Sequence, residues 1–455
     1  MNLTLGEIAR IFPENTLALP ADIVVADFCQ DTRKITAGSL YIAIRGEHHD
    51  GHDFITDAFA KGAVAALVSR AQPGLANCFL CDDTVQGLGV LAHYYRKKFS
   101  QPLIAITGSS GKTTTKELLT HVLSAFAPVV ATTGNLNNHI GVPLTLAKFN
   151  AAAGFFVVEM GMNHAGEIRY LTKIAEPTVA LITNVGVAHI ENFNGSSHAV
   201  AAAKGELFLE LAPTATAIVN NDDEKIRMLS TSAKKITYGI VEPSDVQANN
   251  ITFSESGTQF ILQYQKIAFP VHLQAVGFHH VMNALAVFAT SQALHLDADQ
   301  VVSQLESFAI TFNRGRLIHR GSVTIVDDTY NANPASLRVA CEALTLQFPQ
   351  AKKIAVLGGM LELGDDAKAY HHAVGAGAKE VGIDEVFAYG GEADSYLQGF
   401  GYTPAEVQKR FFKSHDALAA AVLDALKNHS GKTAVLVKGS RGMKMELALN
   451  IITGN

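Results

Sequence analysis

Cysteine is scarce: four residues in a chain of 455 leave too few pairs to staple a fold of this size, which excludes a disulfide framework. Cys78 and Cys81 have a C-x-x-C spacing, but they sit in an apolar stretch with no second pair or histidine cluster nearby. They read as buried structural thiols rather than a metal or redox pair. No apolar run reaches the ~18 residues of a membrane span. The opening MNLTLGEIARIF carries acidic and polar residues where a signal peptide has a basic end and an apolar core, so the expectation is a cytoplasmic protein without a membrane span. Excess positive charge is also absent; the formal net charge of −6 argues against a general nucleic-acid coat. Local lysines and helix ends can still hold an anionic small molecule. No internal repeat or low-complexity segment interrupts the chain. What remains is an ordinary globular composition, 48% hydrophobic and 17% charged. The length suits about three domains at roughly 150 residues each.

The most informative stretch is PLIAITGSSGKTTTKE, residues 102 to 117. Leu103 to Ile106 read as a buried strand, a glycine loop follows, and KELLTHVL has helical spacing. A strand, a tight glycine turn and a helix start form an anion site, because the first helical N–H groups lack partners and the macrodipole is positive there. Gly108 and Gly111 allow the backbone to wrap a phosphate, Lys112 adds a mobile cation, and the Thr113 hydroxyl can ligate Mg²⁺. The full P-loop spacing asks for glycine at 106, where this chain has isoleucine, so the motif is the shortened Gly-x-x-Gly-Lys-Thr.

Three α/β units are expected, 1–100, 101–312 and 313–455. In the first, SLYIAI and AALVS read as strands around an amphipathic helix. Flanking loops carry Asp31, Thr32, Arg33, Asp50 and His52, either a polar binding edge or ordinary solvated turns. In the second, PLIAIT, APVVATT, GFFVVEMG, TVALITNVG and TAIVNN alternate with helices, which implies a mostly parallel, doubly wound sheet with ligands beyond the strand ends. Glu159 ends one such strand, the place of a second Mg²⁺-binding carboxylate in phosphate-loop enzymes. His189 follows the next strand, as a loop residue or a metal ligand. Lys204, in alanine-rich VAAAKGELF, reads from the residues alone as a surface lysine. Asn135, Asn137 and Asn138 crowd one short loop and suit either turns or sugar and peptide recognition. A polar, alternating stretch over 240–275 reads as an antiparallel excursion, and FNRGRLI, with Arg314 and Arg316, as a hinge. The third unit reads as a Rossmann-like sheet with strands KIAVLGG, EVFAYGG and AVLVKGS, and without the G-x-G-x-x-G of NAD binding.

Taken together, TGSSGKTTTKE, the strand ending at Glu159, His189 and the KGE at Lys204 resemble the central ATPase domain of the Mur ligases, ATP-dependent amide-forming enzymes of peptidoglycan precursor synthesis. Four further stretches, DTRKITAGSLYIAIRGEHHDGHDF, TTGNLNNHIGVPLTL, DDTYNANPASL and GGMLELGDDAKAYH, resemble the branch that adds D-alanyl-D-alanine to a UDP-muramoyl tripeptide. The resemblance covers essentially the whole chain. It implies that Thr107, Gly108, Ser109, Ser110, Gly111, Lys112, Thr113 and Thr114 cradle the ATP phosphates, and that Thr113, Glu159 and His189 hold Mg²⁺. By the same resemblance Lys204 is the lysine that related ligases carry as a carbamate, and Asn283, Arg316 and Asp328 hold the nucleotide. Asp31, Thr32, Arg33, Asp50 and His52, with Asn135, Asn137 and Asn138, would bind the UDP-muramoyl substrate. Asn331, Asn333, Lys438, Ser440 and Arg441 would place D-alanyl-D-alanine. Three positions depart from the family's pattern: His280 stands in place of asparagine, Gly359 in place of aspartate, and Gln30 in place of a small hydroxyl residue. DNPR, the signature of the diamino-acid-adding branch, is absent.

The implied chemistry needs no covalent enzyme nucleophile. The tripeptide carboxylate attacks the ATP γ-phosphate to give an acyl phosphate, and the dipeptide amine then displaces phosphate. The third unit is expected to swing about residues 312–316 and exclude water from that intermediate, in a chain acting as a monomer. A sister amide ligase, such as the diamino-acid-adding or folylpolyglutamate-forming type, is the alternative within the family. A kinase or a nucleotide-gated binding module is the alternative outside it.

Overall fold

The computed structural model describes residues 1–186, 190–193, 195–309 and 314–454, and its strands form three sheets. The first is four-stranded and wholly parallel, β1 (Phe28–Cys29), β2 (Leu40–Ile42), β3 (Ala65–Val68) and β4 (Cys78–Leu80) in that order. All four cysteines are free thiols; Cys78 is buried on β4 as expected, whereas Cys81 is only partly buried. The helix Thr84–Arg96 closes this unit; Asp83 caps it by accepting from Val85 and Gln86 N–H groups at 2.7 and 2.8 Å. Its far end is locked onto the next unit. Arg96 Nε donates to the Ala175 carbonyl at 2.9 Å, and the Tyr95 hydroxyl to that of Phe149 at 2.9 Å. One apolar cluster runs from Leu3 through Leu91 to Phe156 and Phe208, so the first two sheets share a core.

The middle sheet has nine strands: β5 (Leu103–Thr107), β6 (Val129–Ala131), β7 (Phe155–Glu159), β8 (Val179–Ile182), β9 (Thr216–Asn220), β10 (Lys234–Gly239), β11 (Val246–Ser254), β12 (Gly257–Tyr264) and β13 (Ile267–Leu273). Their spatial order is β13-β12-β11-β10-β9-β8-β5-β7-β6. Pairing is parallel from β6 to β11, and antiparallel through β12 and β13, where the polar alternating stretch extends the same sheet. The next strands after β5 lie on one side of it and β8 on the other. The topological switch therefore falls between β5 and β8, and the carboxyl end of β5 opens onto the crevice where ligands bind in such sheets. The continuous apolar runs of β5 and β7 are the sequence signature of strands covered on both faces.

The third sheet is β14-β15-β19-β16-β17-β18, built from β14 (Arg316–Arg320), β15 (Val323–Asp328), β16 (Lys352–Gly358), β17 (Glu385–Tyr389), β18 (Phe411–Phe412) and β19 (Thr433–Lys438). It has twice the three strands expected. The antiparallel β14–β15 hairpin escapes pattern reading because its edge strand carries two arginines and a histidine and its partner ends in two aspartates. The same hairpin corrects the hinge expectation in part. Gly315 N–H donates to the Asp327 carbonyl at 2.8 Å, so the chain is tied into the third sheet from residue 315 on. Residues 310–313 lie outside the described residues.

Candidate active site

The phosphate loop is held in shape by its neighbour strand. Gly108 has φ 152°, and a Cβ there would overlap the Thr183 hydroxyl; Gly111 has φ 77° with Asn283 Oδ1 3.3 Å from where a Cβ would sit. Thr183 Oγ1 donates to the Ser110 carbonyl at 2.6 Å, and Asn184 Oδ1 accepts from Ser110 N–H at 3.0 Å. Thr183 and Asn184 follow β8 and close the loop from the other side of the switch point. Residue reading passed over both, although two polar residues at the carboxyl end of the adjoining strand are the available signal. Thr107 is buried and donates to the Met160 carbonyl at 2.8 Å, so its side chain braces β5 rather than facing the cavity.

Beneath the loop, Thr113 Oγ1 donates to Glu159 Oε2 at 2.9 Å and Asn137 Nδ2 to Glu159 Oε1 at 2.8 Å. Glu159 is 2% exposed. Lys116, one helical turn on from Lys112, is buried with Nζ 3.0 Å from the Thr132 carbonyl and 4.0 Å from Glu159 Oε2. The hydroxyl and carboxylate are hard oxygen donors beside a phosphate loop, which fits Mg²⁺ held by one carboxylate, a threonine and phosphate oxygens. His189, the third expected ligand, lies outside the described residues; among those described, no group of three His, Cys, Asp or Glu side chains forms a metal cluster. Lys112 Nζ donates to its own Gly108 carbonyl at 2.7 Å, and burial lowers the ammonium's pKa while Glu159 opposes the shift.

Lys204 is no surface lysine. It is 2% exposed on the helix Ser197–Leu209, and burial, with the Lys112 charge adding, drives its pKa well below the ordinary lysine value. Two residues on, Glu206 accepts from Gly166 and Arg169 N–H groups at 2.8 and 3.0 Å, capping the helix Glu167–Ala175 from outside.

A cavity of about 950 Å³ joins these residues to the third unit. Loop residues from Ser109 to Thr114, together with Glu159, Lys204, Asn283 and the three asparagines of 135–138, face Arg316, Asp328, Asn331, Asn333, Lys438 and Arg441 across it. Lys438 Nζ donates to Asp328 Oδ2 at 2.7 Å and to the Asn331 carbonyl at 2.8 Å, while Asn331 Oδ1 accepts from Arg441 N–H at 3.1 Å. Burial raises Asp328, with Lys438 counteracting. Asn333 caps the helix Pro334–Gln347 through Ser336 N–H at 2.8 Å. Ser440 is buried as a strut, its hydroxyl on the Ala332 carbonyl at 3.1 Å and under Leu361 N–H at 3.0 Å.

The expected asparagine roles divide. Asn137 is committed to Glu159, and Asn138 Oδ1 accepts from Ile140 and Gly141 N–H groups, leaving Asn135 to the cavity wall. The first-unit residues lie outside this cavity. Arg33 holds Asp31 through paired contacts of 2.8 and 2.9 Å, keeping the Asp31 carboxyl at about 2. Thr32 opens the short helix that Asp31 caps. His52 is buried, with Nδ1 2.6 Å from Asp50 Oδ1 and Nε2 accepting from Ser69 N–H at 2.9 Å, a network that assigns the proton to Nδ1. Of the departures from pattern, Gln30 is exposed. Gly359 packs so that a Cβ would lie 3.1 Å from the Gly390 carbonyl, leaving little room for aspartate. His280 packs tilted against His279, ring centroids 3.9 Å apart, and burial pushes it down to about 4, so it faces the cavity as a neutral ring.

Comparison with known proteins finds three family models in chain order. The Mur ligase family catalytic domain matches residues 29–79, the Mur ligase middle domain 106–291, and the Mur ligase glutamate ligase domain 313–441. A protein of Synechocystis named UDP-N-acetylmuramoyl-tripeptide–D-alanyl-D-alanine ligase is 38% identical, the match covering 92% of this chain and 91% of that one. The crystal structure of MurF from Acinetobacter baumannii superposes with a TM-score of 0.91 at 31% identity, covering 100% and 99% of the two chains. MurF from Thermotoga maritima in complex with ADP gives 0.86 at 29% identity, covering 95% and 98%.

Proposed function

This chain belongs to the Mur ligase family, and we propose that it joins D-alanyl-D-alanine to UDP-N-acetylmuramoyl-tripeptide with the residues lining the cavity between its middle and third units. It is an ATP-dependent ligase that uses Mg²⁺. The observation that carries the residue assignment is the convergence of Lys112, Thr113 and Glu159 from one unit with Asp328, Lys438 and Arg441 from another on one cavity. We divide the chain into 1–100 for the UDP moiety, 101–312 for ATP and 313–455 for the dipeptide.

In this assignment the backbone from Gly108 to Thr114 cradles the nucleotide phosphates, and Lys112 exchanges its Gly108 carbonyl for a phosphate oxygen. Thr113 and Glu159 would hold Mg²⁺, with Asn137 fixing the second Glu159 oxygen; His189 is the further candidate ligand. Bound there, Mg²⁺ neutralises charge on phosphate oxygens. Asn283, Arg316 and Asp328 hold the nucleotide from the hinge side. The carboxylate of the tripeptide attacks the γ-phosphate, giving ADP and an acyl phosphate; the dipeptide amine adds to the acyl carbon and phosphate leaves. Burial disfavours the charged form of Lys204 and so favours the free amine, which is nucleophilic toward CO₂; addition with loss of a proton would convert it to a carbamate, an anionic oxygen donor whose charge Lys112 would offset. Arg441, paired with Glu446 but with an exposed side chain, and Asn331 present donors and acceptors for the dipeptide. The loops bearing Asp31, Thr32, Arg33, Asp50 and His52 take the UDP end, with His52 acting as a brace. No described helix is long and apolar enough to cross a membrane. The demand for ATP and a UDP-linked precursor supports a cytoplasmic setting.

The test is to incubate the purified protein with MgATP, the UDP-muramoyl tripeptide and D-alanyl-D-alanine, following phosphate and product mass. Phosphate released only when both acceptors are present, with the mass of the joined pentapeptide, sustains the reading. ATP consumption without the dipeptide overturns it in favour of another member of the family.

A further inference from the structure

The third unit brings one cation to the cavity that differs from its neighbours in how it is held. Lys438 is paired with Asp328 at 2.7 Å, Arg441 with Glu446 at 3.1 Å, and Arg316 with Asp327 at 3.4 Å. Arg314 is instead seated on an aromatic face, its guanidinium carbon 3.9 Å from the Tyr330 ring centroid. A guanidinium held against an aromatic face in this way keeps its charge and its N–H donors for planar or tetrahedral oxyanions. Both residues line the cavity that also contains Lys112 and Asp328. Both also ride on the third unit, because Gly315 is bonded to Asp327 and Tyr330 follows β15 by two residues.

We propose that Arg314 is a nucleotide-phosphate-binding residue, presented by the third unit to the terminal phosphates of a nucleotide seated on the Lys112 loop. The proposal rests on the reading of that loop as the ATP site. Its physical basis is the pair of cations that face one another across the cavity. Among the described lining residues Lys438, Arg441 and Arg316 are paired with Asp328, Glu446 and Asp327, whereas Lys112 bonds a backbone carbonyl and Arg314 rests on an aromatic face. Arg314 and Lys112 line the same cavity from opposite walls, one from each unit. Two cations that repel one another across a gap favour an anion between them, and an anion bonded to both draws the two units together. The residue therefore couples occupancy by a triphosphate to the approach of the third unit. A diphosphate, which ends one phosphate short, engages Arg314 less.

The experiment is calorimetric titration of the full chain, and of its Arg314→Met and Arg314→Lys variants, with ATP, ADP and adenosine at fixed Mg²⁺. Loss of a charge-assisted bond predicts ATP binding about tenfold weaker in Arg314→Met. The loss is smaller for ADP, and adenosine binding matches the unsubstituted chain, which also reports that the pocket is folded. Arg314→Lys, with charge but no planar fork, recovers part of the ATP affinity. Unchanged affinity for ATP in Arg314→Met overturns the proposal and leaves the Tyr330 stack as a strut for the turn. Equal weakening for ATP, ADP and adenosine overturns it as well, since the effect is then on the pocket rather than the phosphates. An unsubstituted chain that binds adenosine no more weakly than ATP removes the phosphate-loop reading itself.

Discussion

On the middle-unit wall of the cavity, Lys112 donates to a carbonyl of its own loop and Glu159 accepts from a hydroxyl and an amide. On the facing wall, Lys438 and Asp328 already satisfy one another at 2.7 Å. The first wall hydrogen-bonds Lys112 and Glu159 to neutral partners that a metal ion or phosphate can replace, with Lys116 4.0 Å from Glu159 as the nearest opposite charge. The second, Arg314 apart, pairs Lys438 with Asp328 and gains a rigid frame for Asn331 and Arg441. A charge held by neutral groups is poised for a ligand, whereas one held by an opposite charge is architecture.

Substitutions on the two walls should therefore fail differently. Lys112→Ala is expected to have the largest effect, a loss of about a thousandfold or more in turnover from removing the cation nearest the transferred phosphoryl group. The fold is retained, which steady-state kinetics alongside thermal unfolding will check. On the facing wall the main effect falls on stability. Asp328→Asn or Lys438→Met alone is expected to cost about 3 kcal/mol in denaturant unfolding, at the low end for a broken buried pair because the Asp328 side chain is 21% exposed. The double variant recovers part of that loss; additive losses would mean that the two residues do not act as a pair. Smaller again is Asn137→Ala, which leaves Glu159 in place but frees one oxygen. A second-layer partner of a ligand is worth about tenfold in metal affinity, measurable as Mn²⁺ binding by electron paramagnetic resonance without turnover.

Legibility in the sequence follows the same division. The Lys112 loop can be read because strand, glycines and helix start are contiguous, and Glu159 because it ends an unbroken apolar strand. Thr183 and Asn184 cannot be assigned to the loop without knowing that β8, 70 or more residues away, lies beside β5. Lys116 and Glu206 look like helix-surface charges until packing places one beside Glu159 and the other at the start of Glu167–Ala175. The β14–β15 hairpin is hidden for a different reason, since edge strands tolerate charge and so lose the apolar signal. The family resemblance identified Lys204 where its alanine-rich surroundings pointed to the surface. Packing accounts for both readings: small neighbours let the helix approach closely enough to bury it.

Lys204 also gives the mildest and most specific test of the comparison, because it belongs to the poised wall but has no opposite charge among the causes of its shift. Its pKa is depressed in the folded state, so between that value and the ordinary 10.5 the unfolded chain binds one proton more than the folded one. Stability from this group is therefore lost as pH falls from 10.5 through the folded-state pKa, with a slope of at most about 1.4 kcal/mol per pH unit. In CO₂-depleted buffer Lys204→Met removes the charge that burial penalises. The variant is expected to unfold at a higher temperature than the parent at pH 7, with an advantage that shrinks steadily toward pH 10. Added bicarbonate should narrow the gap at neutral pH by stabilising the parent alone, since only an amine can take up CO₂. A gap independent of both pH and bicarbonate would mean that Lys204 binds the same number of protons folded and unfolded and contributes only as packing.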